Sequence, residues 1–302
     1  MIATLRNAWQ VPDLRRRILI TVALLVAFRA GVAVPVPGIV PEVIQQLFSA
    51  GTLFAFMDLF SGGALSRYSV FALGIYPYIN ASIIMQLLQM VIPKWEEMSK
   101  DEDGRKKLHE YTRYGTVILG AIQATGMTLA IRSRGALVSD SIWLVIEAVL
   151  SLVAGTAFLM WLGEIITEKG IGNGISLFIF AGIVTEMPRE VAQIVALLRS
   201  GEAKWYNAVL LLVISIATVL LVIWITEGER RIPVQYSKRV VGRKMMGGYA
   251  THIPIKINQA GVIPVIFASS LLSFPTTLAA FVDKPWARKL GEFFDYTQPW
   301  YT

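Results

Sequence analysis

Few residues in this 302-residue chain are equipped to make or break bonds. It has no cysteine and two histidines, His109 and His252, both in basic polar stretches. Disulfides, thiolate metal sites and thiol nucleophiles are excluded together, and histidine-built metal catalysis is a poor fit. An intramembrane hydrolase would need a paired nucleophile and base, and neither such a pair nor an aspartate dyad is visible. Gly170-Ile171-Gly172-Asn173-Gly174 superficially suggests a phosphate loop. It lacks a following Lys-Ser/Thr and a preceding strand, so a tight glycine turn between two spans is expected. Arg29, Glu147 and Glu164 lie near span ends, where snorkelling accounts for them. Asn80, Gln86, Gln89 and Gln123 are more interior and could line a polar path or join helices by hydrogen bonds.

Apolar residues make up 55% of the chain and charged residues 16%, against roughly 25% charged in soluble domains. The apolar residues come in long blocks, which reads as an all-α polytopic membrane protein. Seven spans are expected, at about 18–34, 69–91, 114–131, 142–166, 174–186, 206–226 and 257–281. The fifth is short and glycine-flanked, so tilting or shielding by neighbours is expected of it. Arg15-Arg16-Arg17 before an apolar run could mimic a signal peptide. Arg29 and Pro35-Val36-Pro37-Gly38, without a small-residue cleavage site, favour a retained first span.

The stretch from Leu53 to Leu88 organises the rest. Leu53–Phe60 is apolar but only eight residues long, about 12 Å as a helix, and Ser61-Gly62-Gly63 cuts it off. A helix too short to cross, feeding one that can, suggests a re-entrant segment. Non-helical backbone at membrane depth is tolerated only where protein or water satisfies it.

Lys and Arg total 18 on the side holding 1–17, 92–113, 167–173 and 227–256, and 9 on the other. This bias places the N-terminus and both long basic loops in the cytoplasm. The 93–113 loop carries Arg105, Lys106 and Lys107. The 227–256 loop carries Arg230, Arg231, Lys238, Arg239, Arg243 and Lys244. Two readings stand: anchorage to anionic lipids, or docking of a polyanion such as ribosomal RNA or of an acidic protein face. Basic pairs interleaved with Val234, Tyr236, Val240 and Val241 favour a folded hairpin and docking.

Residues 74–82 and 261–269 share the pattern G-x-x-P-x-I-x-A-S, in spans running in opposite directions. Such inverted repeats are common in transport folds. A period of five spans implies ten in all, so seven would represent a partial chain. Pro77 and Pro264 are expected to kink their helices. Ile75 and Ile79, and Ile175 and Ile179, each share a helix face; on spacing alone, packing against lipid or core is the commoner role. A secondary transporter also uses inverted repeats, but it needs a polar constellation at midplane, where this sequence offers isoleucines.

Residues 60–66 (FSGGALS), 71–75 with 77–79, 170–183 (GIGNGISLFIFAGI), 229–236 (ERRIPVQY) and 253–264 resemble the bacterial SecY family, the channel subunits of the Sec protein translocon. The resemblance covers essentially the whole chain. It implies a protein-conducting channel, not an enzyme, that needs no cofactor. In such a channel preproteins cross the cytoplasmic membrane and membrane proteins enter it. It implies an N-terminal half, 1–186, with a plug near 53–68, and an incomplete C-terminal half, 187–302. Positions matching the family's pore ring are Ile75, Ile79, Ile175, Ile179 and Ile266. Leu59, Phe60, Ser61, Gly62, Gly63, Ala64 and Leu65 match the plug, and Asn80 and Phe274 the facing walls of the lateral gate. The two basic loops match docking sites for the ribosome and SecA, with SecE, SecG and signal sequences as further implied partners.

Overall fold

The computed structural model describes residues 9–40, 43–44, 58, 61–202, 204–235, 239–241, 244–246 and 250–258, with side chains of 235–251 excepted. Among the described residues seven helices are α1 (Pro12–Val32), α2 (Tyr76–Val91), α3 (Pro93–Lys100), α4 (Glu102–Arg132), α5 (Ile142–Lys169), α6 (Gly174–Ser200) and α7 (Trp205–Glu227). Four strands follow: β1 (Glu229–Gln235), β2 (Arg239–Val241), β3 (Lys244–Met246) and β4 (Ala250–Lys256). The chain divides into two compact units, one running up to Glu190 and the other starting at Val191.

In the first unit α4 packs on both α2 and α5. Gly104, Leu108, Thr112, Thr116, Gly120, Ala124 and Thr128 recur every four residues along α4, and all are buried. One stripe of small residues therefore faces the neighbours and lets backbones approach closely. The buried hydroxyls of Thr112, Thr116 and Thr156 donate to the carbonyls four residues back, at 2.9, 2.7 and 3.1 Å, so their burial leaves no polar group unmet. The Asp101 side chain caps α4 by accepting from Gly104 N–H, and Ser141 caps α5 by accepting from Trp143 N–H.

Six of the seven expected spans fall on helices, and the seventh lies outside the described residues. Among the described residues three helices, α4, α5 and α7, are long and apolar enough to cross a membrane. Three expectations are corrected. The second span is helical only from Tyr76, and Pro77 sits in the first turn of α2. There its missing N–H is an orphan anyway, so it starts the helix and does not kink it. The helix of the fifth span does not stop at 186, because α6 continues through Pro188 to Ser200. The 93–113 loop is helical. Asp101 separates α3 from α4, Trp95 stacks on Tyr111 at 6.1 Å, and Gly104 touches the Met98 carbonyl where no Cβ would fit.

The turn between α5 and α6 is built as expected. Gly170 N–H donates to Ile166 O, Gly172 takes φ 74°, and Asn173 Oδ1 accepts from Ser176 N–H. A Cβ on Gly174 would stand 2.1 Å from the Gly163 carbonyl oxygen, so only glycine permits this close return.

In the second unit β1 and β4 pair antiparallel in register from Glu229↔Lys256 to Gln235↔Ala250. β2 and β3 pair from Arg239↔Met246 to Val241↔Lys244. The hairpin expected of the 227–256 loop is present. α7 is mostly apolar and has no buried residue.

Candidate functional site

Between Asp58 and Ile75 the described chain makes turns, and its polar backbone is satisfied locally. Leu65 N–H and Ser66 N–H donate to Asp58 Oδ1 at 2.9 and 3.0 Å, and the Ser61 hydroxyl lies 3.0 Å from the same oxygen. Gly63 N–H donates to Asp58 O at 3.2 Å. Gly62 and Gly63 take φ of 66° and 79°, the left-handed region in which glycine is least strained. One carboxylate thus gathers the N–H groups that a turning backbone would leave bare inside an apolar protein.

This cap sits against α1 and α6. Arg29 Nη1, near the C-terminal end of α1, donates to Gly62 O at 2.9 Å. A Cβ on Gly62 would fall 2.9 Å from Gly182 Cα, and one on Gly63 would fall 2.7 Å from Glu186 Oε1. Glu186 has a side chain only 12% exposed, and Arg189 Nη1 lies 3.7 Å from its Oε2. Arg29 therefore points inward to the segment and does not snorkel. Glu164 likewise pairs with Arg113 at 2.8 Å, joining α5 to α4.

Downstream of the cap the chain is tied to its surroundings. Val36 N–H donates to Tyr68 O, Val70 N–H to Val34 O, and the Tyr68 and Thr128 hydroxyls meet at 3.0 Å. Tyr68 is 1% exposed and has φ 45°. Gly155 on α5 makes room for Val70, whose carbonyl oxygen would lie 2.0 Å from any Cβ there.

Four of the five candidate ring positions come together. Ile75 is buried with Phe28, Val32, Ala64, Phe71 and Phe178, and Ile79, Ile175 and Ile179 pack against that same cluster. Ile75 precedes the first turn of α2, and Ile79 N–H donates to its carbonyl. Ile266 lies outside the described residues, as do Phe274, Leu59 and Phe60. Ser61, Gly62, Gly63, Ala64 and Leu65 are all buried, and Asn80 is half-buried on α2.

Arg105, Lys106 and Lys107 are exposed at the start of α4, with Lys106 Nζ 3.2 Å from Asp103. Nearby on α3, the hydrogen bond from Lys100 holds the Glu96 carboxyl below its ordinary value. On the ribbon, strand alternation sends Arg230 and Arg231 to opposite faces. Arg230 shares its face with Ile232, Val234, Ile253 and Ile255, and Arg231 shares the other with Glu229, His252 and Lys256. Lys238 and Arg243 lie outside the described residues, and Arg239 and Lys244 begin β2 and β3.

Sequence reasoning missed the roles of Asp58 and Arg29. Each was visible as a charge in an apolar stretch, but its partners depend on turns that no periodicity encodes.

These features define a helical membrane protein with an apolar cluster beside an irregular buried segment, and with a strand ribbon carrying basic residues. Comparison with known proteins narrows the class. A SecY family model matches residues 69–302. Protein translocase subunit SecY of Halalkalibacterium halodurans is 47% identical over 99% of this chain and 72% of its own length. That of Escherichia coli K12 is 46% identical over 89% of this chain and 62% of its own length. The chain therefore spans under two thirds of some curated relatives it matches. Two solved structures share the fold at 22% identity: a protein conducting channel (TM-score 0.57, 88% of this chain, 58% of that one) and Sec61 of a canine ribosome-channel complex (TM-score 0.56, 88% and 59%). The chain belongs to the SecY family. That is a family of translocase subunits, not of catalytic enzymes.

Proposed function

We propose that the chain supplies part of a protein-conducting channel through which preproteins cross the cytoplasmic membrane and membrane proteins are inserted into it. The observation that carries this reading is the gathering of Ile75, Ile79, Ile175 and Ile179 in one apolar cluster with Ala64 of the cap. Isoleucines, with Ile266 as a fifth member, form a gasket without fixed polar partners. A narrow apolar ring excludes ions by dewetting and yields around a passing chain. Residues 59–65 are the plug of the resting channel, and Asn80 and Phe274 face each other across the lateral gate. A signal sequence binding at that gate biases the channel toward its open form, a ligand-driven population shift.

The N-terminus and the 92–113 and 227–256 segments are cytoplasmic in this proposal. Arg105, Lys106 and Lys107, with Arg230, Arg231, Lys238, Arg239, Arg243 and Lys244, then meet the ribosome, including its RNA, or SecA. SecE and SecG complete the membrane assembly, and anionic lipids border the basic segments. Because Arg230 and Arg231 leave the ribbon on opposite faces, a partner that uses both must wrap an edge of it.

Photocrosslinking tests the proposal. A probe in the signal sequence of an arrested preprotein is expected to reach Asn80 and Phe274 of the full-length protein. Uniform labelling of lipid-facing residues, with neither position favoured, would overturn the gate assignment.

A further inference from the structure

We infer that Arg29 is the latch that holds the cap in its resting seat, so the seated-to-unseated balance is set by one charged hydrogen bond donated from α1. The inference rests on the plug reading above and adds a residue outside the plug that controls it.

Besides turn bonds such as Tyr68 N–H to Leu65 O and Ser69 N–H to Ala64 O, which join the cap to the chain that follows it, the hydrogen bonds around residues 58–70 fall into three groups. Those of Asp58 with Ser61, Gly63, Leu65 and Ser66 are internal, so they survive if the cap moves as a body. Those of Tyr68 and Val70 with Val34, Val36 and Thr128 anchor the chain beyond the cap. Between residues 61–66 and the helices that seat them there is, among the described residues, one side-chain hydrogen bond: Arg29 Nη1 to Gly62 O. The other contacts of the seat are steric or apolar. Gly62 rests against the Gly182 backbone, Gly63 beside Glu186, and Ala64 among the residues around Phe28 and Phe71.

The chemistry suits a latch. The guanidinium presents its N–H donors in a rigid planar fork, which fixes the direction in which it can donate. Its acceptor is a carbonyl and not a carboxylate, so release exposes a dipole and leaves no buried anion behind. A charge-assisted hydrogen bond in an apolar setting is stronger than a neutral one, yet weaker than a desolvated ion pair. Gly62, whose carbonyl takes this bond, has φ 66°, a conformation in which glycine is least strained.

The 302 residues contain no cysteine, so Ala64→Cys in a full-length protein cleared of any other cysteine supplies a single thiol where the native side chain is 0% exposed. In proteoliposomes, its labelling by a water-soluble maleimide reports unseating, and resting ion conductance reports the seal. Arg29→Gln is expected to raise labelling about ten-fold or more, the weight of a lost charged hydrogen bond, and to raise conductance with it. Arg29→Lys, which keeps a charged donor, should stay closer to the parent. In a variant lacking 61–66, Arg29→Gln should add nothing to the conductance. Unchanged labelling in Arg29→Gln, equal loss in Arg29→Lys, or the same added conductance without the cap would each overturn the latch. A deletion of 61–66 that leaves conductance unaltered would instead overturn the plug reading on which it stands.

Discussion

The described cap, Asp58 with residues 61–66, and the ribbon of β1 with β4 solve opposite problems. The cap has irregular backbone in a buried setting, so every N–H must find an acceptor, and Asp58 supplies one oxygen to several at once. The ribbon has regular backbone whose ladder satisfies itself, yet it leaves Ile232, Ile253 and Ile255 about half exposed, at 41, 54 and 38%. In the cap, polar satisfaction is scarce and apolar cover is plentiful; in the ribbon the reverse holds. Substitutions should therefore cost most in the cap and its walls, and little in the ribbon until a partner arrives.

The largest effect is expected where the wall leaves no space. Gly155→Val would push a side chain into the Val70 carbonyl, and unfolding of the detergent-solubilised full-length protein should show a loss of about 3 kcal/mol. An unchanged midpoint would mean the segment's path along α5 is less constrained than Gly155 implies. Next is Asp58→Ala, which strands the Ser66 amide and leaves the Leu65 amide only Ser61 Oγ at 3.2 Å; it should cost about 2 kcal/mol. Hydrogen exchange at those two amides should accelerate, whereas Asp58→Asn, which keeps the accepting oxygen, should leave them protected. Tyr68→Phe removes only the hydroxyl that meets Thr128, and about 1 kcal/mol should be lost. The smallest effect is expected in the ribbon. Ile253→Ser should leave stability within about 0.5 kcal/mol, and a loss matching that of Tyr68→Phe would show that the exposed face already packs against something.

The same contrast explains what could be read before the fold was known. β-branched residues between basic pairs pointed to the hairpin, because strand character is a local pattern. Glycine spacing pointed to the turn at 170–174 for the same reason. Helix limits were harder. Pro77 looked like a kink within a span, because an apolar run continues before it; the backbone turns at Phe71–Gly74 lie within that run and change no hydropathy. The fifth span was expected to end at 186, yet α6 continues through Pro188 to Ser200. The four described isoleucines could be paired by spacing, but only the return of α6 beside α1 and α5 brings the two pairs into one cluster. Arg29 was the least legible. Its partner is a carbonyl, which every residue has, so nothing in the side chain at position 62 announces the bond.

α7 carries a last consequence. Mostly apolar and without a buried residue, it carries only a thin polar stripe of Asn207, Ser215 and Thr218, a weak side-chain signal for its rotation about its own axis. Its ends are different. Trp205 and Tyr206 open it, with Lys204 Nζ 5.8 Å from the Tyr206 ring, and Trp224 lies near its close. The tryptophans stand nineteen positions apart, about 28 Å along a helix, close to the thickness of a hydrocarbon core. Indole rings favour the boundary between lipid and water, so α7 works as a ruler. It registers how deep the chain sits in the bilayer and leaves its neighbours to decide which way it turns.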